Sequence, residues 1–236
     1  MNRTTCYMKG SYLGFLTTGL LSVSCVLFAQ QHPGPMAEAG HGDANAHMNQ
    51  APFEDLAASF ESAERESWQK PDEVVAALGD ISGMTIMDIG SGTGYFSFRL
   101  VEAGARVICA DVDDRFLNHI RQRKEAEGLT DEQMEIRKVP YESSSLEIAE
   151  VDMAIIVDTY HHIQSRTEYF AEVRRGLKPG GRLVVVDFFK IEVPVGPPVE
   201  MKLSADTIVD ELRSAGFQNF EINQELLPYQ YIIFAS

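Results

Sequence analysis

The sequence predicts an α/β fold, a doubly wound and mostly parallel sheet of seven strands with helices on both faces. Three observations carry that expectation. Apolar runs of strand length alternate with segments of helical periodicity from residue 71 onward. Residues 85–96 (Thr-Ile-Met-Asp-Ile-Gly-Ser-Gly-Thr-Gly-Tyr-Phe) read as a strand, a tight turn and the start of a helix. A second apolar run, residues 106–110, ends in Asp111, about 20 residues beyond that turn.

The chain has 236 residues, 44% of them hydrophobic, enough for one well-buried domain with extensions. Twenty Lys and Arg face 35 Asp and Glu, a formal charge of −15. No run of basic residues offers a footprint for nucleic acid, so DNA or RNA is excluded as the main partner and the acidity reads as a solubility feature. Cys6, Cys25 and Cys109 are the only cysteines. They supply neither a disulfide framework nor the spacing of a zinc site, and no metal is expected; Cys109 lies inside an apolar run and reads as core.

Residues 1–29 carry Arg3 and Lys9, an apolar stretch over 12–28 and the small Ala29, the layout of a signal peptide. Cleavage after Ala29, retention as a membrane anchor and lipidation at Cys25 are the three readings. Each keeps the positive start inside and exports the rest, to the periplasm or to a membrane anchorage facing it. A mis-called start codon would instead leave the protein cytoplasmic. Residues 30–52 are polar and read as a flexible linker, with His32, His41 and His47 as ordinary linker residues. Residues 53–236 form the domain, opening with a helical cap over 53–79.

In that cap Phe53, Leu56, Ala57, Phe60 and Ala63 recur at helical steps up to Trp68, and Pro71 starts a second helix. The glycine turn follows. Its free helix-start amides favour an anionic group over residues 90–94. The glycines run G-x-G-x-G, with Asp88 two places earlier and Tyr95 where a dinucleotide fingerprint wants a third glycine. A helix over 115–127 is capped by Asp113 or Asp114, and a third strand covers 135–139. The run 151–157 is apolar almost throughout, as a doubly covered strand must be, and ends in Asp158-Thr159-Tyr160-His161-His162. A helix over 166–177 is stopped by Lys-Pro-Gly-Gly, and a fifth strand covers 182–188. After a Pro-rich loop, Ser204 and Asp206 open a last helix. Two closing strands joined near Pro228 read as an antiparallel edge hairpin.

The glycine turn with Asp88, the second-strand acid, the polar end of the fourth strand and the Leu-Lys-Pro-Gly-Gly-Arg-Leu turn occur in order over residues 71–235. Together they resemble class I S-adenosylmethionine-dependent methyltransferases, which have a Rossmann-like sheet. The resemblance implies S-adenosylmethionine as cofactor, with the methionine end held by Asp88 and the main chain at Gly90, Ser91, Gly92, Gly94 and Tyr95. Asp111 would hold the ribose hydroxyls, with Val112 beside it. The family's adenine-contacting acid after a glycine is replaced by Val139-Pro140-Tyr141-Glu142, which leaves Tyr141 to stack on the base or Glu142 to accept from it. Asp158 would face the cofactor, and Tyr160 and His161 the acceptor. The N-terminal helices of such enzymes cap the cleft, which makes Arg65, Trp68, Gln69 and Lys70 candidates, beside the reading of Trp68 as a core anchor with surface polar neighbours; the loop after the fifth strand offers Lys190 and Lys202 as candidate anion contacts, with solvated lysines the preferred reading. The acceptor is expected to be a small molecule, with its identity and the oligomeric state left open. Two other readings stand beside this one: a non-catalytic nucleoside-binding module, and a nicotinamide oxidoreductase, which Tyr95 opposes.

Overall fold

A strand covered on both faces must be apolar at nearly every position, and the order of such strands in a sheet decides where a ligand can enter. The computed structural model describes residues 50–236 together with Asn45 and Met48. The expected leader and most of the expected linker lie outside the described residues. Seven strands form one sheet: β1 (Thr85–Ile89), β2 (Arg106–Asp111), β3 (Met134–Lys138), β4 (Val151–Val157), β5 (Leu177–Phe188), β6 (Phe220–Asn223) and β7 (Gln230–Ala235). Their order is β3-β2-β1-β4-β5-β7-β6. The first five are parallel, and β7 runs antiparallel to both β5 and β6. The order reverses between β1 and β4, which opens a crevice at their carboxyl ends.

The helices are α1 (Phe53–Phe60), α2 (Ala63–Gln69), α3 (Pro71–Ala77), α4 (Ser97–Glu102), α5 (Asp114–Ala126), α6 (Arg166–Gly176) and α7 (Ala205–Ser214). The alternation of side chains along each strand sends residues to two separate cores. One joins Met87, Ile89 and Val185 to Phe170, Val173, Ile208 and Leu212 from α6 and α7. The other joins Ile86, Ile155 and Val184 to Val74, Leu100 and Ile120 from α3, α4 and α5. Two side-chain caps fix helix starts: Asp113 accepts from the Arg115 amide, and Ser204 accepts from the Thr207 amide. Cys109 is buried, and its thiol is pushed up to about 12 by burial, so it behaves as a core apolar group.

Three expectations shift. The helix read through residues 53–68 is two helices, because Ser62 is extended at φ −62° and ψ 138°. That break lets α2 aim Arg65 and Gln69 inward as a separate element. The closing strands do form an antiparallel pair at one side of the sheet, but within it β7 lies inside, between β5 and β6, so of the two only β6 is an edge. Burial explains it: Tyr231, Ile232, Ile233 and Ala235 are all covered, whereas β6 exposes Glu221. Finally, the domain's contacts begin before residue 53. Asn45 donates to the His162 carbonyl, and Arg115 donates to the carbonyls of Met48 and Ala51.

Ile155 is fully buried in the central strand β4, between β1 and β5. Ile155→Ala is expected to cost about 2–5 kcal/mol, seen in urea unfolding as a lower midpoint at unchanged slope.

Candidate functional site

Strand ends are where a parallel sheet exposes polar groups, and four of them meet here. Asp88 lies one residue before the end of β1, Asp111 ends β2, Asp158 follows β4, and Asp187 lies one residue before the end of β5. A cavity of about 980 Å³ opens over this edge. It is lined by the glycine loop, Asp88, Asp111, Val112, Tyr141, Glu142, Asp158, His161 and Phe188, and on the cap side by Phe60, Arg65 and Trp68. That volume is at the upper end of the range for single small-molecule pockets, roughly 300–1,000 Å³, so a nucleoside leaves room for a second molecule.

The glycine loop is strapped to β2. The amides of Gly90 and Ser91 both donate to the Ala110 carbonyl, at 2.8 and 3.1 Å, and the Gly92 amide donates to Asp111 Oδ2 at 2.9 Å. The Gly94 amide donates to Ser91 at 2.8 Å. This narrows the expectation that the main chain of residues 90–94 holds an anion through its free amides. Four of the five are committed within the protein, and only the Thr93 amide has no protein acceptor among the described residues. Gly90 has φ +71°, and a Cβ there would stand 2.5 Å from the Thr159 side chain, so the loop needs glycine for space as well as angle. Gly94, expected at the ligand, does not line the cavity. At φ +81° it turns the chain against Phe98 and Ile120.

Asp88 and Asp111 are buried at this edge, and Asp158 beside them is half-buried. Asp88 accepts from Ser97 Oγ at 2.6 Å, and burial pushes it up to about 6, with nearby Asp111 adding to the rise. Asp111 also rises to about 6 through burial, against the pull of the Asp113 and Gly92 amides on its two oxygens. Asp158 is raised by burial and held back by Arg65. It stands at φ +55°, a left-handed position that a non-glycine residue seldom takes. Arg65 Nη2 and Gln69 Nε2 donate to its Oδ2 at 3.3 and 3.1 Å, and Gln230 Nε2 donates to Oδ1. Arg65 also donates to the Phe60 carbonyl and lies 4.2 Å over the Tyr95 ring.

The cap candidates therefore separate. Arg65 and Trp68 line the cavity, Gln69 is buried behind Asp158, and Lys70 instead donates to the Leu226 carbonyl at 3.0 Å. Lys202 is also corrected as an anion contact: it is 2% exposed, and its ammonium donates to the Ile191 carbonyl at 2.9 Å. Lys190 is exposed.

The pair after β4 divides in the same way. Tyr160 is corrected as an acceptor-facing residue. It is 0% exposed, stacks on Phe170 at 4.6 Å, and donates its hydroxyl to Glu211 at 3.0 Å, away from the cavity. His161 does line the cavity, and its Nδ1 lies 3.1 Å from both oxygens of Asp187. Asp187, fully buried, is the residue sequence reasoning missed. Its signal was an acid interrupting Val-Val-Val at the carboxyl end of a strand, the same rule that singled out Asp111.

The class this geometry defines is an α/β domain with a cavity at the switch point of its parallel sheet. Residues 87–185 match the family model described as a methyltransferase domain. Over 120 residues the chain is 30% identical to a ubiquinone/menaquinone biosynthesis C-methyltransferase from Brucella anthropi, covering 48% of this chain and 44% of that one. Over 169 residues it is 27% identical to the C-methyltransferase of the same description from Allorhizobium ampelinum, covering 69% and 62%. The chain thus spans less than two thirds of the length of either relative. A crystal structure of an S-adenosylmethionine-dependent methyltransferase from Aquifex aeolicus superposes with TM-score 0.72 at 23% identity, over 79% of this chain and 98% of that one. The fold is the Rossmann-like methyltransferase fold.

Two outcomes follow from the site's electrostatics. A carboxyl raised from 3.8 to about 6 favours the fold only while protonated, so its contribution is complete below pH ~4 and is lost as pH rises through about 6. Asp88→Asn, which can still accept from Ser97, should stabilise the ligand-free protein at pH 7 by about 1–3 kcal/mol and give no gain below pH ~4, as read by urea unfolding. Tyr160→Phe should lower stability by about 1 kcal/mol and leave ligand affinity unchanged, as read by thermal unfolding with and without S-adenosylhomocysteine.

Proposed function

We propose that this protein is an S-adenosylmethionine-dependent methyltransferase acting on a small molecule. The observation that carries the reading is the bond between the Gly92 amide and Asp111, which makes glycine loop and strand-end acid one ligand-facing edge. Each oxygen of Asp111 accepts one amide and keeps a further lone pair, so the carboxylate can take both hydroxyls of a ribose. The residues present also fit an amino-acid tail. Arg65 suits its carboxylate, and Asp88 and Asp158 suit its ammonium. Ser91 Oγ, Thr93 Oγ1 and Tyr95 OH are buried at the cavity wall with no hydrogen-bond partner, the condition a polar ligand or its waters would relieve. Val112, Tyr141 and Glu142 line the same cavity and would be the residues to meet a base. When bound, the cofactor supplies an already activated methyl group, so the chain's own task is to bind, orient and, for a protonated acceptor, remove a proton. The role of both relatives in ubiquinone and menaquinone biosynthesis favours a small-molecule acceptor.

The same proposal places the protein outside the cytoplasm, on the strength of Arg3, Lys9 and the apolar stretch over residues 12–28. N-terminal mapping of the protein from periplasmic and membrane fractions tests this, and recovery of the intact start in the cytosol would contradict it.

Asp111→Ala and Arg65→Ala should each weaken S-adenosylhomocysteine binding by more than about tenfold in titration calorimetry, the scale of losing one charge-assisted pair of hydrogen bonds. Wild-type affinity in the Asp111 variant would sink the assignment of the ribose.

A further inference from the structure

Two features of the cavity are left over once a nucleoside is accounted for. One is an apolar wall. Trp68 and Phe188 lie 5.8 Å apart by ring centroids, and Pro197, Pro198 and Met201 continue the surface. The wall is built tightly: Lys202 rivets the loop at Ile191, and a Cβ on Gly196 would stand 2.6 Å from the Phe188 ring. The other feature is the His161–Asp187 pair. Asp187 accepts from the Phe188 amide at 2.8 Å and faces Nδ1 of His161, so Nε2 is the nitrogen turned to the cavity that His161 lines.

Charge narrows what can sit there. Among the described residues lining the cavity, Arg65 is the one permanent cation, and Asp158 already pairs with it. Asp88, Asp111, Asp113, Glu142 and Asp158 line the same space. An anionic acceptor would meet these carboxylates with no spare counter-charge.

The base narrows it further. A thiol ionises near ~8.5 without much help, and a free amine attacks with its own lone pair and loses its proton afterwards. A phenolic or enolic hydroxyl, ionising near ~10, is a poor nucleophile until a neighbouring base takes its proton, and an imidazole is matched to that task near neutral pH.

Resting on the methyl-transfer reading, we propose that the acceptor is an uncharged, largely apolar molecule bearing a phenolic or enolic hydroxyl, deprotonated by His161 and with Asp187 as the positioning residue. His161 Nε2 takes the hydroxyl proton as the acceptor oxygen forms its bond to the methyl carbon. The carbon–sulfur bond breaks with its electron pair passing to sulfur, and the imidazolium then returns the proton to solvent. The groups facing His161 are Asp187 from β5, Asp158 after β4, Arg166 from α6 and His162 beside it at 4.4 Å between ring centroids. Burial disfavours the imidazolium, but the carboxylates outweigh it and hold the ring above its ordinary 6.5. The active form is the neutral ring, so turnover should rise with pH through that raised value.

The test pairs S-adenosylmethionine with naphthol, cresol, benzylamine and benzoate, and compares wild type with His161→Gln and Asp187→Asn. Wild type should convert a phenol to its methyl ether and leave the amine and carboxylate unmethylated. His161→Gln should lower kcat about 100-fold or more, the usual scale for a lost general base, at unchanged S-adenosylhomocysteine affinity, which also reports that the variant is folded. Asp187→Asn keeps the side chain's shape but removes its charge. It should lower kcat and move the acidic limb of the profile to lower pH, a shift that a purely structural role would not produce. Wild-type kcat in His161→Gln, preference for the amine or carboxylate, or an unmoved limb would overturn the proposal. A wild-type protein that binds S-adenosylhomocysteine but methylates no phenol overturns the acceptor class alone, whereas one that binds no S-adenosylhomocysteine overturns the methyltransferase reading itself.

Discussion

The hydrogen bond from the Gly92 amide to the Asp111 carboxylate is the tie on which the cleft depends. A loop with three glycines loses much conformational entropy when it is fixed. Two bonds to the Ala110 carbonyl and one to Asp111 fix it across the ends of β1 and β2. The same tie keeps Asp111 aimed inward. The result is an edge crowded with buried carboxylates, two of them raised to about 6. Such an arrangement is poorly solvated when empty and well matched to a ligand that brings hydroxyl donors and a positive centre. By linkage, carboxyls raised by burial in this way contribute less to the stability of the ligand-free fold at neutral pH than in acid.

The sheet was legible because its chemistry is local. Val151–Val157 reads as a covered strand from its own residues, and Asp111 reads as an acid at a strand end, where it lines the cavity. What escaped was set by residues far away in sequence. Tyr160 and His161 are neighbours of similar polarity, and nothing nearby says which one faces the cavity. The answer lies with Glu211, 51 residues on, which takes the Tyr160 hydroxyl, and with Asp187, 26 residues on, which takes the His161 ring. Asp187 itself could have been found by the strand-end rule, but it was absorbed into an apolar run. The glycines show the same limit. Gly90, Gly92 and Gly94 all have positive φ, yet only the packing of Phe98 and Ile120 against Gly94 reveals that it turns away from the cavity.

The loop after β5 shows how a charged residue can serve an apolar surface. Lys202 is buried, donates to the Ile191 carbonyl, and lies 5.7 Å over the Phe188 ring. Its stem packs and its head satisfies a backbone carbonyl, so the lysine holds the apolar wall in shape without offering charge to the cavity. A lysine near a cleft is readily taken for an anion contact; here its partner is the chain itself.

The network around Asp158 reaches across the whole domain. Its carboxylate is held at once by Gln69, before the first strand, and by Gln230, at the start of the last one, and these two glutamines are bonded to each other at 3.0 Å across 161 residues of sequence. A chain emerging from the ribosome can assemble its first five strands while the cap still lacks its latch. The set of side chains around Asp158 is complete only once β7, which carries Gln230, lies between β5 and β6, so the cap end of the cleft draws on the last strand of the chain as well as on the glycine turn made early.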